Sequence, residues 1–499
     1  MAQYKIEPSK LKALHNVDPC LVSYNVEMTE VTGGTFWKAY TPGQIAGTEE
    51  FPPIAGMHEW GKLTQWYDPI DATNPRLIKL TKDLGPAWIR CSGTWATKTY
   101  YDFEGKGSVP EGYENRLTKE QWINLLKFVD AVGGKLLISV ANCEGLHSAE
   151  EPWNPSQAEL IFNLSKEYGH PIDAVEFTNE PNMMTPTGFP ENYTPAHFRR
   201  DQDIFHKWVR ENHPDTLIVG PCTCDPSVLQ MGPGDKGGAG IADVVPACST
   251  EELLKGCTEK IDVFSYHYYN GVSERLVSVQ PAAHWDEKDA NSEPYLSTAG
   301  RIARAYAPIR DKYVPGGQMW VTESGDAGGG GNTWASTYLD VIRTLNELGD
   351  FSSVTDGIIF HNTLASSDYG YLKHGTFEPR PNYFAVLLWN TLMGHTAYDC
   401  ENPNTMGAHV YCHSRKDGKD GYVYLVINNS LTDTTTVELP KEADRYTLDG
   451  NGNMRNTVMY LNGNPLTLGE NDSLPALTPV KQAAGTVELA PGSCTFFVI

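Results

Sequence analysis

The sequence predicts an α/β chain in two parts: a (β/α)8 TIM barrel and a C-terminal antiparallel β-sandwich domain. Three observations carry this expectation. Eight short, largely apolar runs recur between about residues 20 and 395, helix-like stretches alternate with them, and beyond Gly394 helical patterning stops and turn chemistry takes over. Short apolar runs suit the strands of a parallel sheet covered on both faces, and their alternation with helices defines βαβ units.

In order, the runs are 21–26, 87–90, 136–140, 174–177, 217–219, 263–266, 319–321 and 357–360. Helix-like segments include 119–132, with a Leu/Phe/Val stripe after Thr118, then 157–168, 194–212 and 333–348, and 383–392 closes the series. The competing arrangement is an open doubly wound sheet, but no Gly-rich nucleotide loop follows the first run. After residue 394, apolar stretches such as 423–427, 434–439 and 495–499 are joined by Asp449-Gly450-Asn451-Gly452 and Leu461-Asn462-Gly463-Asn464, which are hairpin turns by composition. The expected division is a catalytic barrel over 16–394 and a β-sandwich over 395–499, with residues 1–15 available to add a strand to the latter.

Composition narrows the partners. With 499 residues, 40% of them hydrophobic, the chain can build a packed core, and its formal charge is −23. An acidic balance disfavours nucleic acid and anionic membrane surfaces, which reward basic patches. No apolar run is long enough to span a membrane. The start, MAQYKIEPSKLK, has no secretory apolar core, so the expectation is either an intracellular protein or one whose export signal was removed. Cys248 with Cys257, and Cys400 with Cys412, are spaced to close loops, while Cys222-x-Cys224 has no second pair at zinc spacing. Buried free thiols are the expectation for the ten cysteines.

In a barrel, chemistry belongs at the carboxyl ends of strands. Those ends supply Glu27, Ser92-Gly93-Thr94, Asn142, Asn179-Glu180, His267-Tyr268, Glu323 and His361-Asn362. Glu180, ending AVEFTNEPN after the fourth run, and Glu323, in MWVTESG after the seventh, would face each other across the barrel mouth. Two opposed acids suit glycosidic cleavage: one protonates the leaving oxygen while the other attacks or activates water. In a mechanism that retains configuration they stand roughly 5–5.5 Å apart. Asn179 lies beside the acid, where an amide can reach a neighbouring sugar hydroxyl. Thr94 and Asn142 are further candidates on the same rim. His267 reads as either a ligand or a packed core histidine, packing being favoured, and His361 has no histidine partner at metal spacing, so neither a metal nor an organic cofactor is expected.

An Asn-Glu pair closing strand four and a Glu closing strand seven resemble the clan of retaining (β/α)8 glycosidases. RCSGT, SYHYYNGVSER, MWVTESGDAGGGG, DYGYLKHGTFEPRPNYFAVLLWNTLMG and the tail LNGNPLTLGENDSLPAL…TFFVI resemble the heparanase-like β-glucuronidases, glycoside hydrolase family 79. The resemblance runs from the second barrel strand to the last residue. It implies Glu180 as acid/base and Glu323 as nucleophile. It also implies Tyr268 as a tyrosine near the nucleophile and Glu27 as a ligand for a distal sugar hydroxyl. For the uronate it implies backbone N–H groups with Tyr369, while Gly329 and Gly330 fall in a matching glycine run. The family's glycine two residues before that tyrosine is Ser367 here. Arg90 is the one strand-end cation, and it sits early in its strand.

The reading is therefore a retaining β-glucuronidase, exo-acting on a glucuronide or a glucuronate-bearing oligosaccharide. Heparan sulfate is disfavoured, because a polyanion wants basic residues beside the cleft. Another retaining glycosidase of the clan, of β-glucosidase or β-xylosidase type, and a non-catalytic carbohydrate-binding protein are the alternatives.

Overall fold

In the computed structural model, which describes residues 2–225, 228 and 247–499, the eight runs become the strands of one closed parallel barrel. They are Val22–Glu27 (β1), Trp88–Ser92 (β2), Lys135–Ser139 (β3), Ala174–Glu176 (β4), Leu217–Thr223 (β5), Val263–Val272 (β6), Met319–Gly328 (β7) and Ile359–His361 (β8). Pairing of Ile359, Phe360 and His361 with Val22, Ser23 and Tyr24 closes the cylinder. Helices Pro75–Asp83 (α1), Lys119–Val132 (α2), Ser156–Tyr168 (α3), Pro195–Asn212 (α4), Thr250–Leu254 (α5), Thr298–Tyr313 (α6) and Leu339–Val354 (α7) lie between successive strands, and Pro381–Leu392 (α8) follows β8. Thr118 and Thr194 start α2 and α4 with reciprocal capping boxes. Among the described residues no helix is long and apolar enough to cross a membrane, and all ten cysteines are free.

The strand period of two sorts each run onto two faces. Ile89, Leu136, Ile138, Val175, Ile218, Phe264 and Ile359 join the main core under the helices. Trp88, Leu137, Ala174, Val219, Val263, Trp320, Ile358 and Phe360 form a separate cluster that fills the barrel floor. One layer higher the inward residues turn polar: Asn25, Arg90, Ser139, Glu176 and Ser265 are at most 1% exposed. Arg90 Nε lies 3.1 Å from both Glu176 oxygens, and its Nη2 donates to Oε1 at 2.6 Å. Such a buried pair holds only while both partners stay, because stranding one charge costs about 3–5 kcal/mol.

Some boundaries differ from the sequence expectation: β5, β6 and β7 run on to Thr223, Val272 and Gly328. A helix over 333–348 is replaced by α7, which begins at Leu339, because β7 runs on to Gly328 and turns follow it. Helix α8 leads directly into Met393–Asp399, the start of a large antiparallel sheet with His409–Arg415, Tyr422–Ile427, Cys494–Val498 and Ala443–Asp449. A smaller sheet holds Ala2–Lys5, Thr435–Leu439 and Gly485–Leu489. The amino terminus thus feeds both sheets, since Lys12–Asn16 pairs with Met393–Asp399. Val410, Cys412, Tyr424, Val426, Val437, Val487 and Phe497 pack together in the core associated with the two sheets. The alternate residues Tyr411, Leu425, Ile427 and Phe496 belong to the core shared with the barrel. Both faces of the larger sheet are therefore covered, which fixes it to the barrel wall.

Candidate active site

At the carboxyl ends of the strands lies a cavity of about 210 Å³, lined by Glu27, Thr94, Glu180, Tyr269, Glu323, Asn362, Tyr369, Gly328 and Gly329, with Phe36, Trp37, Trp95, Met183, Val272 and Leu276 among the other lining residues. Larger clefts of about 810 and 730 Å³ run elsewhere on the molecule, but their arginines are engaged: Arg76 and Arg455 pair with Asp472 and Glu287, and Arg380 donates to the carbonyl oxygens of Ser367, Asp368 and Gly370.

Backbone irregularities aim the two acids. Glu180 has φ 45°, a left-handed conformation that costs a side-chain-bearing residue energy and is concentrated at functional sites. In β7, Trp320 faces the lumen and Val321 the helices, so strict alternation would turn Glu323 outward. The register instead slips: Tyr266 pairs with Val321 but His267 with Glu323, so β7 carries an extra residue. This bulge reverses the parity, turning Glu323 inward while Ser324 bonds Glu347 on α7. Ligand-type atoms of Glu180, Glu323 and His267 all lie within 4.8 Å of one another. That separation belongs with the ~5–5.5 Å of a retaining pair, not the ~6.5–9.5 Å of an inverting one.

The acids occupy different environments. Glu323 accepts from Tyr269 Oη at 2.6 Å, Arg90 Nη1 at 3.3 Å and Asn362 Nδ2 at 3.4 Å, three donors that fix the orientation of its carboxylate. Burial raises Glu180 to about 7, with Arg90 opposing the rise and the Glu176 charge adding to it. Burial also lowers His267 to about 4, leaving it neutral at pH 7. Arg90 Nη2 stands 3.3 Å from His267 Nε2, and a guanidinium can only donate, so Nε2 is the acceptor. The ring proton then sits on Nδ1, 3.0 Å from Glu180 Oε1. Although Glu180, His267 and Glu323 meet the spacing of a metal cluster, Arg90 already supplies the cation beside them.

Several expectations need correction. His267 is not a packing residue, because it bridges Arg90 and Glu180. Tyr268 does not approach the nucleophile position: it lies in the main core with its hydroxyl unpartnered among the described residues, in the field of Glu347 and Arg343 on α7. Alternation along β6 sends Val263, Ser265, His267 and Tyr269 inward, so the neighbouring tyrosine holds Glu323. Asn142 is fully buried, bonding His147 and Thr178, and is not among the cavity-lining residues. Arg90, early in its strand as expected, lies in the polar layer and joins Glu176, Asn179 and Glu323.

The remaining candidates come together. Asn179 accepts from Arg90 through Oδ1 at 2.7 Å. Glu27 lies across the end of β2 because residue 93 is glycine, where a Cβ would sit 1.7 Å from Glu27 Oε2. Tyr369 Oη accepts from Asn362 Nδ2 at 3.0 Å. Ser367, with φ 55°, takes the left-handed conformation its glycine counterpart would favour, and its hydroxyl donates to Gly330 O at 2.9 Å. Tyr269 was legible only through strand parity, whereas Asn362 already stood among the strand ends.

Comparison with known proteins supplies the family. No family model matches the chain. Baicalin-β-D-glucuronidase of Scutellaria baicalensis is 32% identical over 490 residues, covering 88% of this chain and 85% of that protein. The chain belongs to the heparanase-like glucuronidases, glycoside hydrolase family 79. Heparanase-like protein 1 of Arabidopsis thaliana, 23% identical, covers 86% of this chain and 85% of its own length. In fold, the chain is similar to a 4-O-α-L-rhamnosyl-β-D-glucuronidase from Fusarium oxysporum 12S, with a TM-score of 0.64, 14% identity and full coverage of both chains. As a family 79 member it is a glycoside hydrolase on a TIM barrel with an antiparallel β-region.

Proposed function

We propose that this family 79 hydrolase is a retaining, exo-acting β-glucuronidase with Glu180 as acid/base and Glu323 as nucleophile. The observation that carries the reading is one small cavity holding both acids, Glu323 fixed by Tyr269, Asn362 and Arg90, and Glu180 raised to about 7 by burial. Glu323 attacks the anomeric carbon as its bond to the aglycone oxygen breaks, and that oxygen takes the Glu180 proton. Water then attacks the glycosyl-enzyme and gives its proton to Glu180, releasing the sugar and free Glu323. Tyr269, Asn362 and Arg90 hold the nucleophile, and His267 orients the acid. Glu27, Thr94 and Asn179 offer groups to sugar hydroxyls, while Tyr369 and the N–H groups of Gly329 and Gly330 take the uronate. All these residues fall in 16–394, which we assign as the catalytic barrel, with 395–499 and the amino-terminal strands as the supporting β-sandwich.

The exo reading rests on size, because about 210 Å³ is below the ~300–1,000 Å³ of sites for drug-sized ligands and suits one ring. Among the described residues the cavity lining contains no lysine or arginine, and Phe36, Trp37, Trp95 and Met183 give it apolar surface. Short glucuronides fit this lining better than a sulfated polyanion.

The test compares chromogenic β-glucuronide, β-glucoside and β-xyloside. The glucuronide should lead by at least roughly 100-fold in kcat/KM, as expected of a site with polar groups built for one substituent. Equal turnover would assign another retaining activity of the clan. Tyr269→Phe should lower kcat on the glucuronide roughly 10- to 100-fold by removing a hydrogen bond to a charged group. Tyr268→Phe should stay within about twofold of wild type, since its hydroxyl has no partner among the described residues. The reverse ranking would restore Tyr268 as the functional tyrosine.

A further inference from the structure

Strands β6 and β7 continue side by side to Val272 and Gly328, which are paired. The turn after β6 consequently lies against the glycine run after β7. In that turn Arg275 is fully buried, yet it belongs to neither the Arg90 cluster nor the cavity lining. Its Nη1 donates to the carbonyl oxygens of Gly329 and Gly331 at 3.1 and 2.9 Å. Its Nη2 donates to Lys38 O at 2.6 Å and Asp368 Oδ2 at 2.7 Å, and the guanidinium lies 3.7 Å from the centre of the Tyr40 ring. One side chain thus ties together the loops that follow β1, β6, β7 and β8.

The peptide geometry gives these bonds a consequence. Ser273 N–H donates to Gly328 O and Ser273 Oγ to Gly329 O, each at 2.9 Å, the latter shared with Arg275. A trans peptide points its C=O and N–H in opposite directions. The Gly328 carbonyl shares its peptide with the Gly329 N–H, and the Gly329 carbonyl with the Gly330 N–H. Drawing both carbonyls back onto the turn therefore turns both N–H groups away from it, and of the two glycines Gly329 lines the cavity. Neither N–H has an acceptor among the described residues. The φ values of 87° and 89° at Gly329 and Gly330 are ones glycine adopts without penalty.

We propose that Arg275 is a positioning residue for uronate recognition, holding the glycine run by its carbonyl ends so that the Gly329 and Gly330 N–H groups form a preformed anion nest. The proposal rests on the glucuronide reading above. The Asp368 carboxylate balances the guanidinium charge, so the effect is one of geometry and of polarising the shared peptides, not of a free cation facing the sugar. Glucosides and xylosides carry no carboxylate at this position and have no use for the nest.

The test is Arg275→Met, assayed on chromogenic β-glucuronide and β-glucoside with thermal unfolding followed in parallel. For the folded variant, kcat/KM on the glucuronide should fall roughly 10- to 100-fold, chiefly through KM, while the glucoside value stays within about threefold. Arg275→Lys, which keeps the charge but not the fork, should lie between wild type and Arg275→Met. Should Arg275→Met not fold, the lysine variant carries the same comparison. Undiminished preference for the glucuronide in a folded variant, or equal losses on both substrates, would overturn the positioning role. A wild type indifferent to the carboxylate defeats the glucuronide reading itself, and that result is visible before any variant is made.

Discussion

Glu323→Gln is expected to lower kcat on an aryl β-glucuronide by roughly 10⁵-fold while leaving the chain folded. The amide is nearly isosteric and still accepts from Tyr269 and Asn362, but it cannot form the glycosyl ester. Folding should survive because Arg90 keeps its short contacts to Glu176 and Asn179, so no buried cation is stranded. Wild type should accumulate a covalent adduct at Glu323 with a slowly released substrate, visible as added mass on the peptide containing that residue, and the variant should not. Residual turnover within tenfold of wild type would reject Glu323 as nucleophile.

The parts of this site differ in how plainly the sequence announces them. All eight barrel strands were legible because a doubly covered strand must be short and apolar. Glu180 and Glu323 stood out as charges ending such runs. What escaped was set by rules the runs do not print. Arg90 looks too early in β2 to matter at the rim, yet the lumen is layered, and its long side chain rises from the polar layer to Glu323. His267 is fully buried, which in sequence terms is indistinguishable from core packing. The choice between Tyr268 and Tyr269 turns on alternation along β6, and the inward aim of Glu323 turns on a one-residue bulge. Bulges have no reliable sequence signature, whereas strand parity does: counting by twos from Val263 along β6 reaches His267 and Tyr269. Arg275 lay in plain view in SYHYYNGVSER, but its partners are backbone carbonyls of another loop, which only coordinates reveal.

Glu180 predicts the pH behaviour. Its carboxyl is raised to about 7, chiefly by burial, so kcat/KM for a glucuronide with a poor leaving group should fall as pH rises through that value and the proton is lost. Glu180→Gln should remove this alkaline limb and lower the rate on such a substrate by roughly 10²–10⁴-fold. An activated phenol needs little protonation to depart, so its first step should be slowed far less, with the adduct accumulating because no base remains for water. Stability should fall in the same direction, with rising pH. Below the unfolded-state value, Glu180 is neutral in both states and burial carries no charge penalty. Between that value and about 7 the unfolded carboxyl ionises first, so ionisation increasingly favours unfolding, and above 7 the folded protein holds a buried carboxylate at full cost. Glu180→Gln never ionises, so its melting temperature relative to wild type should be higher at pH 8 than at pH 5. A rate profile that keeps its alkaline limb in Glu180→Gln, or a melting difference identical at both pH values, would place the titrating acid elsewhere in the cavity.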